Sequence, residues 1–466
     1  MSPGSAPGAR RWLRWMVIVG VVLLVLAGGA VAFVLLHKPG NVSHPNLSFT
    51  TTTSSTTTPA PKRKHKPVTT FLWPRYGFDA ARTRVFDGPH VPEPPFRIGW
   101  RFQDYALLEF PPVIYHNTLF FVDDSGSAKA MDKRTGHKLW EKKIGTLAAA
   151  SPGVGAREHL VFFPLLSVNP NAGQHPGNGR FVALSMRNGH TVWSHPIGPG
   201  TESSPLVYGR TVYFGDQGGT VRALRARDGH TFWTYHASGA VKGGISYADG
   251  ILYFGDYAGR AYALSARTGH QVWAVSTNGA RFGFGSGEFY SSPAVAFGRV
   301  YMGNTDGRVY SFAAKTGQLA WATGTGAYVY SSPAVQDTKG LGPTVYLGSY
   351  DGNFYAFDAK SGAIRWTHNA GGKISGSPTI VGNVVYFSDL GSKTSAGLDV
   401  RTGRQVFSFP DGAFNPVISD YGAIYLAGYT QLYQLLPKRR GVAHHTKSHT
   451  ARTKTTARTA HRSTRK

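Results

Sequence analysis

Eight aromatic residues close eight repeated units, each built from four short β-rich runs, and one closing run stands alone ahead of the first complete unit. Together these predict an all-β fold: an eight-bladed β-propeller of four-stranded blades, closed by its N-terminal strand and preceded by one transmembrane helix. The aromatics are Trp100, Trp140, Trp193, Trp233, Trp273, Trp321, Trp366 and Phe407, at intervals of 40, 53, 40, 40, 48, 45 and 41 residues.

Within a unit the runs are a Ser-Pro-x-Val segment (A), a Val-Tyr-Phe-Gly segment (B), a Val-x-Ala-Leu segment (C) and the run bearing the aromatic (D), as in residues 203–233. Thr268-Gly269, Thr316-Gly317, Ser361-Gly362 and Thr402-Gly403 put glycine where a hairpin turn needs positive φ. The last unit supplies A, B and C over 416–435 but no D, whereas Phe96 to Phe102 around Trp100 is a D run without a blade. Pairing the two closes the ring and leaves no open edge.

Ahead of the repeats, Trp15 to Leu36 is a charge-free apolar stretch of 22 residues, long enough for one helical crossing. Arg10, Arg11 and Arg14 precede it, so the positive-inside bias leaves residues 1–14 in the cytoplasm and exports the rest. The alternative is a signal peptide cleaved after Ala30-Val31-Ala32. Residues 37–70, with the Thr/Ser run 50–58 and the basic cluster 62–66, read as a disordered spacer, and 438–466 as a disordered basic tail. The net charge of +26 sits mostly at these ends: 1–70 carries 8 cations and 438–466 carries 10, neither with an acid, and 71–437 has 32 cations against 24 acids. The tail therefore suits an anionic wall polymer or lipid, with nucleic acid the least favoured partner of an exported segment.

Ala266-Arg267-Thr268-Gly269-His270-Gln271-Val272-Trp273, returning in register through residues 96–436, resembles the PQQ-repeat β-propeller family. The resemblance implies that Trp100, Trp140, Trp193, Trp233, Trp273, Trp321 and Trp366 dock between blades. It is close in kind to the cofactor-free propeller subunit of the outer-membrane β-barrel assembly machine. That subunit is a lipoprotein, and this chain, with no Cys, cannot be one in that way. The family's dehydrogenases use a vicinal disulfide, a calcium ion and an Asp base. The first is ruled out by the absence of Cys, and no local motif matches the others. The reading is therefore no catalytic residue, no metal, no cofactor, and an envelope binding or scaffolding protein whose partner is an envelope protein or peptide. A quinoprotein dehydrogenase, or a sensor of a small extracellular ligand, is the alternative.

Two signals locate a binding face. In a meander the D–A and B–C connections share one face of the disc, and the two longest insertions, 164–179 and 278–287, both fall there. The residues just before the Ser-Ser-Pro positions open onto the channel at that face: Glu109, Ala149, Glu202, Lys242, Tyr290, Tyr330, Ser375 and Ala413. Glu109, Glu202, Lys242, Tyr290, Tyr330 and Ser375 are the candidate ligand or partner residues, with Arg281, Phe282 and Phe284 as candidate loop contacts; an ordinary solvated rim is the plainer account of the same residues. His137, His190, His230 and His270 fall on four different blades and so cannot share a metal ion, and Asp306-Gly307 and Asp351-Gly352 read as hairpin turns rather than calcium loops.

Overall fold

In the computed structural model, residues 15–26, 28–29, 40–51, 71–169, 178–277 and 287–438 are described. The repeats form eight antiparallel sheets, each with A innermost and D outermost; the inner strands are almost continuously buried and alternation of exposure is confined to the D strands. Blades one to seven take their strands in chain order from Val113–Tyr115 to Gln405–Phe409. Blade eight combines Val417–Ser419, Ile424–Ala427 and Gln431–Pro437 with the N-terminal strand Phe96–Gln103. Gln431 pairs with Gln103 and Pro437 with Phe96, so the ring closes as the orphan D run predicts.

Buried ion pairs fasten that seam. Lys129 of blade one bonds Asp123 and lies 2.9 Å from Asp104, just past the closing strand. Lys133 reaches Asp420 of blade eight at 2.6 Å.

The docking of blades is one contact repeated seven times. Each Trp lies opposite a small residue or Gln434 on strand C, next to a one-residue bulge that turns its indole towards the next blade. There Trp100, Trp140, Trp193, Trp233, Trp273, Trp321 and Trp366 each donate Nε1 to a backbone carbonyl, at 2.9 to 3.2 Å. The ring covers the glycine of the neighbour's C–D turn, so Gly269 meets Trp233 and Gly317 meets Trp273. Each dock thus satisfies a polar atom and buries a large apolar one together.

Three short strands extend these sheets, and none has a counterpart in the repeat: β1 (Val42–Ser43), β2 (Leu72–Trp73) and β3 (Val85–Phe86). β2 pairs with strand A of blade one and β3 with strand A of blade seven. The chain between them circles the axis. Pro74 accepts from Val154 of blade two, Ala80 from Tyr247 of blade four, Ala81 from Val295 of blade five, Thr83 from Val335 of blade six and Arg84 from Ile380 of blade seven. Arg75 donates to the Val207 carbonyl of blade three at 2.7 Å. Residues 72–86 therefore form a plug that takes up backbone groups of seven inner strands, each of which would otherwise be a buried donor or acceptor without a partner.

β1 revises the spacer expectation. Residues 40–51 run down the outer edge of blade five, where Val42 pairs with Ala322, Phe49 stacks on Phe297 at 5.7 Å, and Thr50 donates to the Phe297 carbonyl. The composition is that of a spacer, but Leu47 and Phe49 supply enough apolar surface to dock on blade five. Residues 52–70 lie outside the described residues; beyond them, His116 of blade one donates to the Phe71 carbonyl.

Residues 15–26 are helical with exposed apolar side chains. Among the described residues no helix is long and apolar enough to cross a membrane. Much of the remainder of the stretch to Leu36, like the tail beyond Lys438, lies outside the described residues.

Candidate functional site

The inner end of each blade is held to its neighbour at the Ser-Ser-Pro positions. The backbone N–H of Ser151 bonds Ser204 Oγ, Gly244 bonds Ser292, Ser292 bonds Ser332, Ser332 bonds Ser377, and Ser377 bonds Asn415, at 2.8 to 3.1 Å. Asn415 Nδ2 completes the seam at the Glu109 carbonyl, 3.1 Å away. This girdle fixes the throat, and hence the residue one step before it in each blade, to a rigid ring.

The girdle is interrupted at blade one, where Pro111 has no N–H and Ser151 Oγ donates to its carbonyl at 2.8 Å instead, and it has a gap at blade four. Blade four carries Gly243-Gly244 where five other blades place Ser151, Ser204, Ser292, Ser332 and Ser377. The plug fills it: Arg82 donates from Nε to the Ile245 carbonyl and from Nη2 to the Ser204 carbonyl, both at 2.8 Å, and from Nη1 to the Tyr76 carbonyl. A β-carbon on Gly244 would lie 2.7 Å from Arg82 Cζ. Beside it the Arg84 guanidinium sits 4.0 Å from the centroid of the Tyr76 ring, and the Tyr76 hydroxyl bonds Ser377 Oγ at 2.8 Å and Asn415 Oδ1 at 2.6 Å.

The plug turns the channel into a cup. A cavity of about 240 Å³ opens on the face of the D–A and B–C connections, with Tyr76, Phe110, Phe414 and the throat at its base. Glu109, Glu202, Lys242, Tyr290, Tyr330 and Ser375 all line it. Ala149 and Ala413 are buried and take no part. Arg281, Phe282 and Phe284 lie outside the described residues.

The side chains in the cup are unevenly satisfied. Glu202 is bonded three ways: by Lys242 Nζ at 3.1 Å, Gln217 Nε2 at 2.7 Å and the Tyr290 hydroxyl at 3.1 Å. The Glu109 carboxylate has no hydrogen-bond or ion-pair partner among the described residues. Burial first, then repulsion from Asp124 and Glu202, pushes its pKa up to about 7. Burial and the Glu202 and Glu109 carboxylates likewise hold the Tyr290 hydroxyl protonated, well above its ordinary range. Tyr290 meets Tyr330 edge-on at 5.5 Å, Tyr330 tilts over Tyr350 at 4.9 Å, and Tyr350 lies 3.4 Å from Ser375 Oγ.

Tyr350, and Tyr257 just outside the cup, sit in B–C turns. Their place on the binding face was open to inference, because those turns share it with the D–A loops. Tyr76 and Arg82 gave no such signal. The four histidines are exposed on separate blades, and among the described residues no three His, Cys, Asp or Glu could hold a metal ion together. Asp351 accepts from the Asn353 backbone and Asp306 from Arg308, as hairpin turns require.

The outer membrane protein assembly factor BamB family model matches residues 97–240 and 217–435, which together span the whole ring. The chain belongs to the BamB-type PQQ-repeat family. No curated protein matches it at a significant level. Among solved structures, BamB from Moraxella catarrhalis is similar with a TM-score of 0.59 and 17% identity over 74% of this chain and 99% of that one. A europium-containing methanol dehydrogenase is similar with a TM-score of 0.64 and 13% identity over 78% and 98% of the two chains. The quinohemoprotein alcohol dehydrogenase from Comamonas testosteroni matches with a TM-score of 0.61 and 13% identity over 79% and 81%. At these identities the likeness is one of fold. The cup of this BamB-type propeller does not fit pyrroloquinoline quinone, a tricarboxylic acid. Its carboxylates would face Glu109 and Glu202, and the lining cation Lys242 is already paired with Glu202.

Proposed function

We propose that this chain is a membrane-anchored, extracytoplasmic binding and scaffolding protein of the cell envelope, with no catalytic step of its own. The observation that carries the reading is the cup: a rigid, closed-bottomed cavity in which six side chains from separate blades converge, its base filled by the chain's own Tyr76 and Arg82. Such a site holds a group of a partner or ligand without acting on it. Membership of a family described as an assembly factor supports a protein partner in the envelope.

The charge-free stretch from Trp15 to Leu36 and its upstream arginines support the anchor. Only four peptide steps separate Leu36 from Gly40, about 15 Å at most. Gly40 is already held at blade five, its carbonyl accepting from Arg308 at 3.3 Å. The propeller would therefore sit against the membrane at the blade-five edge rather than on a long stalk. The cations of the C-terminal tail would add contact with anionic wall polymer or lipid, which salt should abolish.

The test is cross-linking of the full-length chain in its own envelope, beside a version with Glu109→Gln and Tyr330→Leu. A cross-linked envelope protein lost in the variant supports the reading. Dye reduction by the full chain supplied with pyrroloquinoline quinone, calcium and an alcohol would overturn it in favour of a dehydrogenase.

A further inference from the structure

We infer that the cup receives a cationic nitrogen, an ammonium or guanidinium group no larger than one side chain, between the Glu109 carboxylate and the rings of Tyr290, Tyr330 and Tyr350. This rests on the binding reading above and specifies its ligand.

Size is the first argument. The cavity, at about 240 Å³, is below the roughly 300 to 1,000 Å³ of sites that enclose drug-sized ligands, so its guest is a small molecule or a single projecting side chain.

Charge is the second. The cup is lined by two carboxylates and one ammonium, and the ammonium of Lys242 belongs to Glu202, whose oxygens also receive Gln217 and Tyr290. Glu109 is left over. The charged groups acting on it, Asp124 and Glu202, are both acids, so among the described residues no cation neutralises it. A half-buried carboxylate without a partner is costly, and a cation supplied from outside removes that cost.

The aromatic wall is the third. Tyr290, Tyr330 and Tyr350 form a continuous arc from the loops of blades five and six, and tyrosine faces attract cations. The chain itself uses this pairing around the site. Lys242 Nζ lies 4.8 Å from the Tyr257 ring and Lys373 Nζ 5.6 Å from the Tyr350 ring, while Arg84 stacks on Tyr76 below. An anion would meet two carboxylates, and the Tyr76 hydroxyl at the base is already engaged by Ser377 and Asn415.

The ammonium or guanidinium could come from a free amine or from a basic side chain of a partner, and the experiment separates these. Full-length protein in detergent is titrated calorimetrically with tetramethylammonium, with arginine methyl ester, and with a blocked Gly-Arg-Gly peptide and its citrulline and glutamate counterparts. The expected result is binding of cationic probes at least about tenfold tighter than citrulline, with glutamate undetectable. Glu109→Gln and Tyr330→Leu should each weaken it about tenfold, their folding confirmed by thermal melting. Equal affinity for free amines and peptide identifies a small-molecule ligand, and a clear preference for the peptide identifies a partner's side chain. Citrulline or glutamate peptide binding as well as arginine, with a response to Tyr330→Leu, would overturn the cation assignment and leave the binding reading standing. If no probe binds and the envelope cross-link survives Glu109→Gln with Tyr330→Leu, both readings fail at this cup.

Discussion

Trp273 donates its indole N–H to the Ala314 carbonyl of the next blade at 2.9 Å, and its ring lies where a side chain on Gly317 would have to go. Trp273→Phe removes the bond and should cost about 1 kcal/mol, whereas Trp273→Ala, which leaves a cavity, should cost about 3 to 5 kcal/mol. Gly317→Ala meets both a φ of 72° and a ring 2.8 Å from its new β-carbon, so it should destabilise despite adding only a methyl group. In blade eight the strand ends Pro437 and Phe96 stand where a C–D turn would be, and there Phe407 packs edge-on against Phe96 at 5.6 Å. Denaturant unfolding of the four single variants, Phe407→Trp included, checks the rule; a gain in stability at Phe407→Trp would contradict it.

Arg82 and Gly244 form a matched pair. Gly244→Ser installs the residue that five other blades carry, yet it should destabilise, because the guanidinium holds the space. Arg82→Ala should also destabilise, by leaving the Ile245, Ser204 and Tyr76 carbonyls without their donor. The double variant should cost less than the two single losses added together, since the serine enters space the arginine has vacated. Additive losses in a double-mutant cycle would show that the two sites do not share that space.

Glu109 sets a pH dependence whose sign follows from its raised pKa. With the folded value pushed from 4.5 to about 7, the folded state keeps a proton that the unfolded chain releases. That contribution is complete below about pH 4.5 and is lost as pH rises through about 7. Melting temperatures of wild type and Glu109→Gln, compared from pH 5 to 8, should diverge in favour of the variant as pH rises. Parallel curves would contradict the assignment. For a cationic guest the sign is opposite: affinity should increase through the same window as the carboxylate ionises.

The docked segment 40–51 depends on a small apolar contact. Phe49 stacks on Phe297, and the Arg299 guanidinium lies 5.6 Å from its ring. Phe49→Ala should release this segment with little effect on the ring's own unfolding, because β1 is an added edge strand. Limited proteolysis should cut within 40–51 in the variant and spare it in the wild type. Equal cleavage of both would mean that the segment is not held.

Much of the cup was legible because the repeat supplies a ruler. Once the Ser-Ser-Pro positions are aligned, the residue one step before each must face the axis, and this brings Glu109, Glu202, Lys242, Tyr290, Tyr330 and Ser375 together from 267 residues of chain, 109 to 375 inclusive. The ruler has no marks outside the repeat. Tyr76 finds Asn415 across 339 residues of sequence, and Arg82 finds Ile245 across 163.

By itself the sequence determined the number of blades, the strand that closes them, the tryptophans that join them and the face on which the funnel opens. Those features follow from a local pattern, four short β-rich runs with glycine at the turns, written eight times over. Only the tertiary structure decided that 72–86 plugs the channel, that Gly243-Gly244 is shaped to Arg82, that Glu202 is satisfied while Glu109 is not, and that 40–51 lies on blade five. Beyond two short edge strands the plug has only the local turns over 75–84, and its carbonyls at Pro74, Ala80, Ala81, Thr83 and Arg84 are taken up by the inner strands of the blades, so that its place is set only once the ring that it fills has closed.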